Sequence, residues 1–303
     1  MLLWGVAFAK AKDKRHTSLV MVTVTLLGTA QDGGRPQAGC QLDCCSDLSP
    51  DKYRYPVSLG IVDQNGHGHL IEATRSLADQ LKLWKHPSIH SVALTHAHFG
   101  HVDGLGLFGK ETLNAKGLAL YLSSSMQRLV EATPQWNLMV EDGVFVPRPI
   151  AGGQDVLLGE GCLLKAVEVP HRAELSDMHA FIVRGPNRSL LFLPDHDRWA
   201  ATLAFHQSAS IRAWLKSLEV DIALIDGTFW SADELSGRNQ NEIPHPPVQE
   251  TLQSLGKRHA DDPEIHFIHL NHTNPLHEEG STQHHEVTNL GWGVAQQGMT
   301  FTL

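Results

Sequence analysis

Basic residues are in short supply in this chain, with 24 Lys and Arg against 33 Asp and Glu among 303 residues and a net charge of −9 at pH 7. A nucleic-acid channel needs a basic stripe to neutralise phosphates, and this balance argues against one. Long apolar runs are lacking too, and none approaches the roughly 20 residues of a membrane-spanning helix. Met1–Phe8 is apolar, but no cationic region precedes it and the charged stretch from Lys10 to His16 follows, a poor match to a signal peptide. The cytoplasm is the expected compartment, with no membrane or nucleic-acid partner. Met21 offers a second start just ahead of the first clear strand, so residues 1–20 read as an N-terminal extension whose order the sequence leaves open, and residues 21–303 as one domain. With 42% hydrophobic and only 19% charged residues, that domain has ample material for a core.

Cysteine is the other scarcity. Of four, Cys40, Cys44 and Cys45 lie within six residues, and Cys162 stands alone before two leucines. A disulfide framework would spread its cysteines along the chain, whereas a cluster of this kind more often binds metal. Three thiolates need a fourth ligand to close a tetrahedral zinc site. Cys162 reads as a small buried hydrophobe in a strand.

What is present in abundance is histidine at one point. The run Thr95-His96-Ala97-His98-Phe99-Gly100-His101 puts three imidazoles into six residues directly after the apolar segment Ser91–Leu94. Such a segment reads as a buried strand delivering its cluster into a loop. Imidazole is a ligand for zinc and also suits iron, nickel and copper. Metal ligands rarely come from one loop, and other strand ends supply candidates. His171 follows the strand ending Val167-Glu168-Val169, Asp195 follows Leu190–Leu193, and His269 follows Ile265–Ile268.

Around these points the spacing predicts strands at Val22–Leu27, Val57–Val62, His69–Ile71, Leu163–Val169, Ala180–Val183, Leu190–Leu193, Ile222–Ile225, Ile265–Leu270 and Met299–Leu303. Helices are expected at Ser76–Trp84, Ser123–Glu131 and Ile211–Leu218, and from Pro246-Pro247, where Val248, Leu252 and Leu255 share a face. Strands dominate each half with helices interspersed, which favours one α/β domain with two sheets over a doubly wound parallel sheet.

The order of histidine loop, single histidine, aspartate and terminal histidine resembles the metallo-β-lactamase superfamily, which implies a four-layer αββα sandwich with metals in a cleft at one edge of the two sheets. Within it, Leu27-Gly28-Thr29-Ala30, Gly33-Gly34, Pro36, Cys40, Asp226-Gly227-Thr228-Phe229-Trp230 and His269–Pro275 resemble the coenzyme PQQ synthesis protein B family, with the phosphodiesterase of phosphonate metabolism as a related branch. The resemblance runs from about Val22 to the C-terminus. It implies a first metal site at His96, His98 and His171, Asp195 as bridge or fourth ligand, and His101 and His269 at a second site. It also implies a structural zinc held by Cys40, Cys44, Cys45 and His272. The family spacing is C-x-C-x-x-C; here Leu42 takes the middle position and Cys44 is the expected substitute.

Gly100 departs from the pattern. The superfamily's hydrolases carry aspartate there, and without it the second site keeps two imidazoles and a shared Asp195. The expectation is one active-site ion, of zinc, manganese or iron, with Gly100→Asp raising occupancy towards two unless a residue such as Asp103 replaces the lost carboxylate. A second departure is that the paired histidines are kept, which members of the PQQ family often lack, so the substrate is not simply inherited.

The expected chemistry is hydrolysis of a phosphodiester or ester-type small molecule by metal-activated water, with Asp195 orienting or deprotonating the water and His245 protonating the leaving group. The alternative is a non-haem iron oxygenase acting on a tyrosine-containing peptide in PQQ biosynthesis, and a third reading is a non-catalytic metal-binding homologue. A homodimer is left open. His196 and Asp197 flank Asp195 as candidates to support the ligands, and Asp226 as a residue holding a ligand histidine. His179 reads as a core or rim residue, and His284-His285 as solvated.

Overall fold

The computed structural model describes residues 21–85, 88–172, 174–235, 240 and 243–303, so the extension expected over residues 1–20 lies outside them. Fourteen strands follow in chain order: β1 (Thr23–Gly28), β2 (Ser58–Val62), β3 (Gly68–Ile71), β4 (Ile89–Ala93), β5 (Leu118–Leu122), β6 (Phe145–Pro149), β7 (Asp155–Gly159), β8 (Cys162–Glu168), β9 (His179–Arg184), β10 (Ser189–Leu193), β11 (Ile222–Asp226), β12 (Glu264–Ile268), β13 (Gly293–Val294) and β14 (Thr300–Thr302). The helices are α1 (Leu77–Trp84), α2 (Phe99–Val102), α3 (Ser124–Ala132), α4 (Pro134–Glu141), α5 (Trp199–Phe205), α6 (Ile211–Ser217), α7 (Val248–Leu255) and α8 (Thr282–Asn289).

The strands form two seven-stranded sheets, ordered β14-β1-β2-β3-β4-β5-β6 and β13-β12-β11-β10-β9-β8-β7. In the first, pairing is antiparallel from β14 to β3 and parallel from β3 to β6. The second repeats the scheme, antiparallel from β7 to β10 and parallel from β10 to β13. Central strands such as Leu190–Leu193 are apolar at every position because both faces are covered. Leu190 and Phe192 point between the sheets to meet Leu26, Leu59 and Ile61. Leu191 and Leu193 point outward to Trp199, Trp214 and Leu252 on α5, α6 and α7. On the far side, Leu70, Val92 and Leu120 pack against Leu77, Met126 and Met139 of α1, α3 and α4. Helix, sheet, sheet, helix is the four-layer αββα order expected from the resemblance.

Local chemistry sets the helix ends. Ser123 caps α3 by accepting from Met126 N, and Ser210 caps α6 by accepting from Ala213 N. The helix expected from Pro246-Pro247 starts one residue later, at Val248, and buries Val248, Leu252 and Leu255 as its spacing implies.

The long segment between β1 and β2 ties the sheets together at one edge. Gln31 N donates to Leu270 O at 2.9 Å and Leu270 N to Thr29 O at 3.0 Å, so this segment runs alongside the residues that follow β12. Farther along it, one ligand atom each of Cys40, Cys44, Cys45 and His272 falls within a 4.8 Å cluster. Tetrahedral zinc with Zn–S of about 2.3 Å and Zn–N of about 2.0–2.1 Å sets S···S near about 3.8 Å and S···N near about 3.6 Å. The observed spacings are 3.8 Å for Cys44 Sγ–Cys45 Sγ, and 3.5 and 3.4 Å from these sulfurs to His272 Nδ1. Leu42, at the middle position of the family spacing, is 56% exposed and turned away from the cluster's chemistry. Burial, with the neighbouring Cys45 thiol, pushes Cys44 up to about 12, as for a thiol with no cation beside it. Cys40→Ala is expected to cost about one equivalent of zinc and to lower Tm by about 4–8 °C, the equivalent of about 2 kcal/mol in a domain of this size. Unchanged zinc content and Tm would show that the cluster is not a zinc site.

Candidate metal centre

Side chains leaving the ends of buried strands converge on one cleft. β4 runs into the histidine loop, whose His96 Nε2 lies 2.8 Å from His98 Nδ1. The His171 ring, delivered after β8, stands 5.2 and 5.0 Å from those of His96 and His98, centroid to centroid. One ligand nitrogen from each of the three falls within 4.8 Å of the others. Next to them, Asp195 after β10 places Oδ2 at 3.2 Å from His101 Nε2, and Oδ1 at 3.5 Å from His269 Nε2 and 3.9 Å from His245 Nε2. His96, His101, His171, His245, His269 and Asp195 are all buried, and His98 is partly so.

Each imidazole is gripped from behind. His96 Nδ1 meets Thr95 Oγ1 at 2.9 Å, His101 Nδ1 lies 3.3 Å from Glu72 Oε1, and His171 Nδ1 lies 3.2 Å from Asp197 Oδ1. His245 Nδ1 meets Asp226 Oδ2 at 2.7 Å and His269 Nδ1 meets Thr228 Oγ1 at 2.8 Å. For His98 the ring is reversed, with Nε2 3.3 Å from Glu174 Oε2 and Nδ1 inward. One nitrogen per ring thereby faces an oxygen and the other is aimed into the cleft, the arrangement that orients metal-binding histidines.

The inner atoms lack ordinary partners. His101 Nε2, His171 Nε2 and Asp195 Oδ2 are buried and make no hydrogen bond among the described residues, although the first and last lie only 3.2 Å apart. Buried polar atoms without partners are costly, and an ion bound by neutral imidazoles and a carboxylate satisfies all three. The residues therefore fit a metal. Electrostatics agree. Burial pushes His96 well below the usual imidazole range, which favours the neutral form that ligates. Burial disfavours the Asp195 charge, yet the surrounding rings of His269 and His101 outweigh it and hold the carboxyl well below its ordinary value. For His245 burial again opposes the charge, and the Asp226 carboxylate overcomes it and raises the imidazole.

Two residues of the cleft escaped the sequence reading. Glu72, directly after β3, backs His101. Asp32, four residues past β1, lies with Oδ1 3.3 Å from His101 Nε2 and 3.4 Å from His269 Nε2. Glu72 carries the strand-end signal used for His171 and His269, whereas Asp32 lies farther into a loop. Asp32 places a second carboxylate beside His101 and His269, a group the single-ion expectation did not count. Asp103 is not the substitute; it points to Arg75 Nη2 at 2.7 Å. Asp226 does hold a cleft histidine, His245, and through Thr228 Oγ1, which donates to Asp226 Oδ1 at 2.8 Å, it also steadies His269. Asp197 backs His171, whereas His196 turns away to Thr202 Oγ1 and stacks edge-on against Trp199. Cys162 and His179 are buried in β8 and β9, and His284 and His285 lie on α8, partly and fully exposed. Asp226→Ala would leave the His245 ring and the amides of His196 and Thr228 without their buried acceptor. We expect it to cost about 3–5 kcal/mol of stability by denaturant unfolding, and a loss under about 1 kcal/mol would contradict the geometry.

Residues 67–262 match the model of the beta-lactamase superfamily domain. Coenzyme PQQ synthesis protein B of Ruegeria pomeroyi is 24% identical over 302 residues, covering 92% of this chain and 99% of that protein. Its namesake in Rhodopseudomonas palustris strain CGA009 is 26% identical over 316 residues, covering 93% and 100%. Among solved structures, the Zn2+-bound PqqB from Methylobacterium extorquens superposes with a TM-score of 0.74 at 22% identity, covering 93% of this chain and all of that one. A diphosphatase from the PhnP family follows at 0.65 and 18% identity, covering 93% and 97%. With its two sheets, its flanking helices and its strand-end cleft, the chain is a member of the beta-lactamase superfamily with the metallo-β-lactamase fold.

Proposed function

We propose that the protein is a metal-dependent hydrolase acting on a phosphodiester or ester-type small molecule. The observation that carries this reading is the position of Asp195, between the His96/His98/His171 group and the His101/His269 pair, with His245 facing it. His96, His98, His171 and Asp195 would hold zinc, manganese or iron. A divalent ion in such a set acts as a Lewis acid and lowers the pKa of bound water from about 15.7 to about 7.

The chain's own groups supply the rest. Asp195 would orient or deprotonate the attacking water. His245, whose imidazole the Asp226 carboxylate behind it raises, would donate from Nε2 to the departing oxygen. Beside His245 opens a cavity of about 340 Å³ lined by Arg198, Ile243, Pro246 and Glu250 among others. Its volume suits a small molecule, and the Arg198 guanidinium offers a fork for an anionic group.

The relatives named coenzyme PQQ synthesis protein B favour a second reading, a part in making that coenzyme. Two histidines and a carboxylate around iron with open positions would suit oxygen chemistry on a tyrosine-containing peptide. His245→Ala separates the two. Under the hydrolytic reading it lowers kcat for an alkyl phosphodiester, whose departing alkoxide needs the proton, by about 100–10,000-fold while leaving metal content intact. Oxygen uptake by the iron-loaded protein, with no hydrolysis of aryl phosphodiesters or esters, would replace the first reading with the second.

A further inference from the structure

We propose that Asp32 is a metal ligand that completes, with His101, His269 and Asp195, a second ion site, and that Gly100 is glycine because Asp32 occupies the space its side chain would take. The inference rests on reading the histidine cleft as a metal centre, and it concerns how many ions that centre holds whatever reaction it performs.

The distances carry it. Around a four-coordinate ion with nitrogen and oxygen ligands at about 2.0–2.2 Å, neighbouring ligand atoms stand about 3.3–3.6 Å apart. Asp32 Oδ1 lies 3.3 Å from His101 Nε2 and 3.4 Å from His269 Nε2. Asp195 Oδ2 lies 3.2 Å from His101 Nε2, and Asp195 Oδ1 3.5 Å from His269 Nε2. His101 Nδ1 faces the fully buried Glu72. Its Nε2 faces the carboxylates of both Asp32 and Asp195. A proton on Nε2 can bridge to one carboxylate, whereas a divalent ion satisfies both and the His269 nitrogen as well.

Placement of Asp32 is built into the backbone. The Gln31–Leu270 and Leu270–Thr29 hydrogen bonds lay its loop along the residue that follows His269, and Gly34 N closes the turn on Gln31 O at 2.8 Å. Gly100 lies within α2, and its φ is not in the left-handed region, so conformational freedom is not what requires glycine there. A Cβ at Gly100 would stand 2.5 Å from Cα, Cγ and Oδ1 of Asp32. Two of those atoms are near the backbone or on it, so a larger residue at 100 and a carboxylate at 32 exclude each other. Gly100→Asp alone therefore adds no ligand, and the earlier expectation for that substitution reverses.

The test counts metal. Full-length protein is equilibrated with Zn2+, freed of loose ions by gel filtration and analysed for zinc by mass spectrometry. Wild type should hold about two equivalents beyond the cysteine cluster. Asp32→Asn, which keeps the shape and removes the charge, should hold about one fewer, with the weaker site's Kd raised by more than the about 10–100-fold typical of losing an outer hydrogen-bond partner. Gly100→Asp in the presence of Asp32 should gain nothing. Asp32→Asn with full zinc, Gly100→Asp with extra zinc, or a wild type with a single ion beyond the cysteine cluster would each overturn the assignment. Zinc binding nowhere but at the cysteines would overturn the metal-centre reading with it, and loss of hydrolysis with both ions retained would touch only the proposed reaction.

Discussion

Five buried imidazoles gathered in one cleft, four of them around the carboxylate of Asp195, are the constraint on which the rest of the structure depends. Packed together and buried, these rings cannot all be charged, and the inner nitrogens of His101 and His171 make no hydrogen bond among the described residues. The fold answers from the outside by setting an oxygen behind each ring at four strand ends: Thr95, Glu72, Asp197, and Asp226 with Thr228. Those oxygens in turn need strands that end at the same edge of both sheets, and the paired mixed sheets provide that edge.

The edge also needs a tie, because its ligands come from two sheets. The segment after β1 supplies it, pairing with Leu270 and contributing Asp32 to the cleft and three cysteines to His272. Arg35, buried within the segment, reinforces the tie by donating to Cys44 O at 3.1 Å and to Glu278 at 2.8 Å. His272 and His269 are three residues apart, so the cysteine cluster fixes the strand end that carries a cleft histidine. Stability and site geometry are coupled through that short stretch.

Much of this was legible because buried strands announce themselves and so do polar residues placed directly after them. Leu190–Leu193 before Asp195 and Ile265–Ile268 before His269 are of that kind. Asp32 hid because it follows its strand by four residues within a glycine-rich turn, where aspartate is ordinary. Nothing in the histidine run itself says which distant loop fills the space at Gly100. Glu72 hid because it looks like the polar end of a strand, and only its burial against His101 gives it meaning. Among the elements, β5 and β6 escaped because β6 carries two prolines and β5 alternates too briefly to stand out. α8, with Thr, Gln and two His in its first four residues, buries a single apolar side chain, Val287, and has little amphipathic signature.

The central claim is that the strand-end cleft is built around metal rather than around a hydrogen-bonded histidine cluster. Anomalous diffraction from crystals grown with Zn2+ or Mn2+, recorded on both sides of the metal's absorption edge, tests it most directly. The account predicts anomalous density bounded by His96, His98, His171 and Asp195, with the outer ring nitrogens still on their oxygens. A cleft free of anomalous density at millimolar metal, its imidazoles bonded only to one another and to carboxylates, would contradict it.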